Sequence, residues 1–265
     1  MKVSGCYRQA CEFRIPVKIV FLQADSLFLY PIFFYRSCSS KVMLTVKSFT
    51  FFTEFFAENT YVLSDESGAC VVVDPGCYHR HERDELVAYI EDAGLRLEKV
   101  LNTHCHIDHI LGNAFLVKRY NVPLVAHKDD LYNLVGAEAF ARMYNLSIDP
   151  SPQPDLFVQE GDVVEFGNTK LEVLFTPGHS AGHVSFFHRE SKQVFSGDVL
   201  FRDSVGRVDL PGGNGAVLID SILNKLFPLG DDVKVYAGHM EPTTIGRERQ
   251  SNQLVKQMQN ANSLN

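Results

Sequence analysis

Thr103-His104-Cys105-His106-Ile107-Asp108-His109 places three imidazoles and a carboxylate within the six residues from His104 to His109. A folded core has little reason to crowd such groups, because each buried one needs a partner. Imidazole and carboxylate together suit zinc, iron or manganese, so the stretch points to a metal site built for chemistry. The preceding run, Leu97-Glu98-Lys99-Val100-Leu101-Asn102, reads as a strand that delivers His104 to its end. His104 and His106 alternate, so on extended backbone both point to one side. Asp108 opens the following helix, and His109 sits three residues after His106. Such a strand-to-helix turn can face two metals, with His104 and His106 toward one and Asp108 and His109 toward the other.

Other strand ends offer the same chemistry. Thr176-Pro177-Gly178-His179-Ser180-Ala181-Gly182 supplies an imidazole on a tight turn, Ser196-Gly197-Asp198 a carboxylate, and Ala237-Gly238-His239 a further imidazole. In each, a glycine lets the backbone turn closely beside the group. Asp74, in Val73-Asp74-Pro75-Gly76, also ends a strand. It is a candidate for holding a ligand imidazole in one tautomer.

Strand-like runs rich in Val, Phe, Leu and Thr recur at 44–52, 60–64, 69–73, 99–102, 123–126, 163–166, 170–175, 183–187, 193–195 and 233–236. Helical spacing predicts helices over 82–93, where Leu86, Ile90 and Ala93 share a face, and over 109–120, 215–227 and 246–258. Residues 137–155 are less regular, and Pro150, Pro152 and Pro154 end their helical potential. Strands first, then strands and helices interleaved, imply an α+β fold: a sheet-rich core covered by helices. No internal repeat or long linker interrupts 43–265, which read as one domain.

Hydrophobic content of 45% and charged content of 22% are ordinary for a globular protein. Net charge is −7, divided unevenly: residues 1–42 carry +4 and the remainder −11. An acidic body argues against a broad nucleic-acid surface. Residues 1–42 are an atypical amino-terminal segment. The apolar run 15–35 contains Lys18, Asp25 and Pro31, which spoil a membrane span, and it lacks the form of a signal peptide. A poorly cleaved signal, a dispensable extension and translated upstream sequence are the alternatives. The expectation adopted is upstream translation, with the natural start at Met43. The six cysteines form no CxxC pair and are too sparse for a disulfide framework. A reducing, cytoplasmic setting is expected, with no membrane partner.

HxHxDH at 104–109, TPGHSxG at 176–182, SGD at 196–198 and AGH at 237–239 together resemble the metallo-β-lactamase superfamily of metallohydrolases. The resemblance spans about residues 43–249. It implies a four-layer αββα sandwich with the metals at one edge. It further implies that His104, His106 and His179 bind a first metal, that Asp108, His109 and His239 bind a second, and that Asp198 bridges them. The cofactors implied are two divalent ions, zinc first, with iron or manganese sharing the same donors.

Within the superfamily, GDxLF followed by Gly206-Arg207 and Asp209-Leu210-Pro211-Gly212-Gly213 resembles the glyoxalase II-like group, the hydroxyacylglutathione hydrolases, in its short form. By that resemblance Arg207 is the substrate-binding residue, its planar fork holding a glutathione carboxylate. The chain departs from the group in two ways. Only 26 residues follow His239, too few for the helical carboxy-terminal domain of the longer members, and Glu241 stands where the group has tyrosine. The expected reaction is hydrolysis of a small-molecule thioester such as S-D-lactoylglutathione. Two metals share a water and lower its pKa, and Asp108 and Asp198 fix the resulting hydroxide as catalytic residues. The alternatives are a mononuclear-iron glutathione-persulfide dioxygenase and a lactonase of the same fold. Cys105 is expected to face away as a small core filler and His183 to be structural. His79, His81, His127 and His188 are expected to be partly exposed without a role. Phe49, Phe51, Phe52, Phe55 and Phe56 are expected to serve as packing.

Overall fold

The computed structural model describes residues 43–262; the expectations for residues 1–42 fall outside the described residues. Two six-stranded sheets form the core. The first runs β1 (Thr45–Phe51), β2 (Glu58–Ser64), β3 (Ala69–Val73), β4 (Arg96–Leu101), β5 (Leu124–Ala126) and β6 (Leu156–Phe157), paired in that order. The second contains β7 (Val163–Phe166), β8 (Thr169–Phe175), β9 (Val184–His188) and β10 (Gln193–Gly197). A small hairpin of β11 (Leu200–Phe201) and β12 (Ser204–Val205) follows, and β13 (Lys234–Ala237) and β14 (Thr243–Thr244) complete the second sheet. Its order is β14-β13-β10-β9-β8-β7.

The two-residue period of strands builds the layers. In β3, Val71 and Val73 point between the sheets, where they join Leu63, Leu101, Leu171, Val173, Phe186 and Phe195 in one buried cluster. Their neighbours Cys70 and Val72 point outward and pack on Leu86 and Ile90 of α1 (Arg80–Asp92). The other outer face works the same way. Val194 and Val235 meet Leu218 and Ile219 of α5 (Gly215–Ser221), Ile245 of α6 (Ile245–Ser251) and Val255 of α7 (Gln253–Asn262). Helix, sheet, sheet and helix therefore stack in four layers.

Departures from the sequence reading have local causes. The helix expected over 109–120 is two, α2 (Ile107–Ile110) and α3 (Asn113–Tyr120), broken at Leu111 and Gly112. Gly112 approaches Pro75 and Cys77 so closely that an added Cβ would lie 2.9 Å from the Pro75 side chain. The helix expected over 215–227 continues from α5 as a π-turn, Ile222–Leu226, and a 3-10 turn, Phe227–Leu229. The last helix is split at Asn252, whose Oδ1 accepts from Val255 N–H at 3.2 Å. A helix absent from the sequence reading, α4 (Leu131–Met143), has an internal glycine, Gly136, and a mixed face that obscured its period.

The strand ends place the site. The β3–β4 and β10–β13 pairs are parallel, so their carboxyl ends share an edge of the sandwich. Hydrogen bonds join the sheets there: Val184 N–H donates to Thr103 O at 2.8 Å, and the Tyr61 hydroxyl donates to Ala237 O at 2.6 Å.

Candidate metal centre

Beyond β4 the chain leaves the ladder through Thr103 and His104 and enters α2 with Asp108 in its first turn. The β8–β9 turn brings His179 across, the end of β10 brings Asp198, and the end of β13 brings His239. Two compact donor groups result: His104 with His106 and His179, and Asp108 with His109 and His239. Asp198 lies between them. Its Oδ2 is 3.4 Å from His179 Nε2 and 3.4 Å from His239 Nε2, and its Oδ1 is 3.6 Å from His109 Nε2. His239 Nε2 is also 3.3 Å from Asp108 Oδ2. The structure thus brings together all seven residues that the sequence nominated for metal binding.

The donor atoms fit a divalent ion. Nε2 of His104, His106 and His109 and Oδ1 of Asp198 are buried without a hydrogen-bond partner among the described residues. Buried polar atoms are seldom left so, and a metal is the partner that matches imidazole nitrogen and carboxylate oxygen together. Close approach is needed as well: a Cβ on Gly238 would fall against Asp198 Oδ1 and within 2.7 Å of His109 Cε1.

A third possible grouping, Asp74 with His104 and His109, shares two of the same imidazoles. Asp74 is already engaged. It accepts from Thr103 N–H at 2.7 Å and from the Thr103 hydroxyl at 2.6 Å, and its Oδ2 lies 3.2 Å from His109 Nδ1. That is the arrangement of a carboxylate that orients a ligand imidazole. Glu58, fully buried in β2, lies 4.0 Å from the same nitrogen. Burial, opposed by the nearby His109, holds its carboxyl well above the usual range. The sequence reading missed Glu58, and no sequence signal marked it: only the fold shows that its strand is buried along its whole length.

Charge divides the centre. Burial, with His109, His106 and His179 nearby, holds the His104 imidazole well below its ordinary value, and burial with His179 brings His106 down to about 4. The other group behaves oppositely. Burial disfavours the charged form of His109, but Asp108 and Asp198 outweigh it and hold that imidazole well above its ordinary value. His239 is likewise raised to about 11, burial being outweighed by Asp198 and Asp108. Asp198, despite burial, is held well below the usual carboxylate range by His239 and His109.

The surrounding residues divide into supports and bystanders. His179 Nδ1 lies 2.8 Å from the Arg207 carbonyl, so Arg207 touches the site through its backbone. Its guanidinium is exposed and bidentate on Asp209, with both contacts at 2.7 Å. Glu241 is exposed and paired with Arg202. His183 accepts Asp198 N–H at Nε2, 3.0 Å away, and its Nδ1 is 3.1 Å from the Thr176 hydroxyl. Cys105 faces away, packed among Ile110, Ala126, Leu134 and Ala137. Two histidines differ from the sequence reading, for both are buried: His127 stacks on Phe175, and His188 meets Ser191. Phe49, Phe51 and Phe52 are buried as expected of packing residues, whereas Phe55 is exposed.

With this geometry in view, the comparisons with known proteins agree. The family model described as the metallo-beta-lactamase superfamily matches residues 53–239. The chain belongs to that superfamily and has its fold, and the class carries with it a metallohydrolase centre able to hold divalent ions. Hydroxyacylglutathione hydrolase GloC of Haemophilus influenzae is 35% identical over 199 residues, covering 74% of this chain and 92% of that protein. Among solved structures, TTHA1623 in a di-iron-bound form is 40% identical with a TM-score of 0.68, covering 75% of this chain and 96% of the other. ETHE1 from Myxococcus xanthus is 27% identical with a TM-score of 0.65, covering 82% and 91%.

Proposed function

We propose that the protein is a two-metal thioester hydrolase that cleaves a hydroxyacylglutathione such as S-D-lactoylglutathione to the 2-hydroxy acid and glutathione. The observation that carries this reading is the position of Asp198, one of whose oxygens is equidistant, at 3.4 Å, from an imidazole of each donor group. A carboxylate so placed could serve both donor groups at once. His104, His106 and His179 would hold the first ion, Asp108, His109 and His239 the second, and Asp198 would bridge. The similarity to GloC supports the thioester over other bonds.

When bound, the metals supply an activated water and polarise the scissile carbonyl. The chain's residues do the rest. Asp108 Oδ2 and Asp198 Oδ2 face the same space beside His239 Nε2, so they orient the attacking water and take the proton it loses. The water oxygen joins the acyl carbon, the C–S bond breaks, and that proton returns to the departing sulfur. Asp74 holds His109, and the Arg207 carbonyl holds His179, in the tautomers that aim Nε2 inward. The Arg207 guanidinium binds the glutathione carboxylate by exchanging it for Asp209, which makes a weaker grip than an unpaired arginine would give. The described cysteines Cys70, Cys77 and Cys105 are free and buried, and among the described residues no helix is long and apolar enough to cross a membrane. The free thiols are what support the reducing, cytoplasmic setting proposed here.

A second reading, a mononuclear-iron dioxygenase acting on glutathione persulfide, draws support from the likeness to ETHE1; the di-iron form of TTHA1623 supports iron as the metal. One pair of assays separates the two. Hydrolysis of S-D-lactoylglutathione without oxygen uptake supports the hydrolase. Oxygen uptake with glutathione persulfide and no thioester hydrolysis overturns it.

A further inference from the structure

We propose that Asp130 is a positioning residue for the first donor group: its carboxylate fixes the spacing of His104 and His106 against His179 by gripping the backbone of both loops. The inference rests on the ligand assignment above. Asp130 is fully buried. One of its oxygens, Oδ2, accepts from the N–H of Cys105, the residue between His104 and His106. The other, Oδ1, accepts from Gly182 N–H at 3.1 Å, in the loop that carries His179, and from Asn133 Nδ2 at 3.2 Å. A single side chain thus joins two segments that are remote in sequence and that together supply the whole first donor group.

Its location argues against an ordinary structural role. Asp130 stands at the N-cap of α4, where an aspartate usually accepts from the first free N–H groups of the helix. Here it makes no side-chain cap bond, and its oxygens turn to the two loops instead. The contact is tight from the other side too. A Cβ on Gly182 would lie 2.8 Å from Asp129 C and from the Asp130 side chain, so only glycine lets this loop come so near. A carboxylate is the side chain that suits the task, since it has two accepting oxygens and no donor to clash with two inward N–H groups. Asparagine keeps one acceptor and turns an NH2 toward the other N–H.

The second donor group is held by other side chains: Asn102 Nδ2 donates to His109 O at 3.0 Å, Asn59 Nδ2 donates to Ala237 O at 3.2 Å and Met240 O at 2.7 Å on either side of His239, and Asp74 touches the His109 ring. Loss of the Asp130 grip leaves those bonds in place and therefore acts mainly on the first half, and that selectivity is measurable. Zinc affinity is to be determined by competition with a chromogenic chelator on the full chain. In a His239→Ala background the first group remains, and in a His179→Ala background the second. Adding Asp130→Asn is expected to weaken zinc about 10–100-fold in the first background, the usual effect of removing a group that supports a ligand. In the second background the loss should be distinctly smaller, because Asn102 and Asp74 still hold His109 and Asn59 still holds the backbone beside His239. Equal losses in both backgrounds would show general loosening of the fold and overturn the proposal, as would no loss in either. Gly182→Ala, which keeps the carboxylate but pushes the loop away, should repeat the selective loss and decides the matter if Asp130→Asn does not fold by circular dichroism. If neither parent background binds zinc, the ligand assignment itself fails, a result visible before Asp130 is altered.

Discussion

Behind the rings of His104 and His179 the contacts are neutral: the Thr103 hydroxyl at 3.0 Å from His104 Nδ1, and the Arg207 carbonyl at 2.8 Å from His179 Nδ1, while the Asp130 carboxylate grips backbone N–H groups and not a ring. Around Asp108, His109 and His239 the contacts are acidic: Asp74 and Glu58 stand behind His109, and Asp108 and Asp198 face the two rings. In the first half, burial favours the neutral form of His104 and His106, ready to donate lone pairs. The second is rich in carboxylates, which raise the His109 and His239 imidazoles, and a metal bound there would have to displace their protons. Thr103 connects the halves, since its hydroxyl meets both Asp74 Oδ2 and His104 Nδ1.

Asp198 belongs to both halves, so its loss should produce the largest effect. Asp198→Ala is expected to lower kcat/KM for thioester hydrolysis on the order of 10^3-fold, with metal content falling as well. Full activity with full metal content would break the bridge. Separating the halves comes next: His179→Ala and His239→Ala should each leave one metal per chain by elemental analysis, whereas a chain emptied by either change would show that the halves do not bind independently. Asp74→Asn sharpens the contrast. It should weaken zinc about 10–100-fold in the His179→Ala background, where only the second half is left, and distinctly less in the His239→Ala background. Thr103→Val tests the link between them. It strips Asp74 of a buried hydroxyl donor and should cost about 1–3 kcal/mol of stability in denaturant unfolding. Smallest of all, Arg207→Ala should raise KM for the glutathione thioester a few-fold and leave metal content unchanged, because the support it gives His179 comes from the backbone.

Much of this was legible in the chain before folding. The alternation of Val71 and Val73 against Cys70 and Val72 assigns both faces of β3, and each nominated ligand follows a strand, so the meeting of strand ends follows from the sandwich. The supports were harder to read. Asp74 was readable because it ends a strand beside Pro75 and Gly76. Glu58 and Asp130 were not, since their importance lies in contacts made across the fold, to His109 in one case and to the backbone of Cys105 and Gly182 in the other. Backbone carbonyls carry no sequence signal at all, so the link from Arg207 O to His179 was invisible, while the Arg207 side chain drew the attention. Helix α4 was hidden for a related reason. Tyr132, Val135 and Met143 on its surface are exposed apolar residues that blur the period by which amphipathic helices are found.

In the proposed reaction, two halves of different character hold two metals for one hydrolysis. Metal analysis of the purified protein, paired with S-D-lactoylglutathione hydrolysis on the same sample, tests it most directly. Two metals per chain, with activity lost on chelation and restored as both are returned, is the predicted result. One iron per chain, with oxygen consumed on glutathione persulfide and no thioester cleaved, would contradict it.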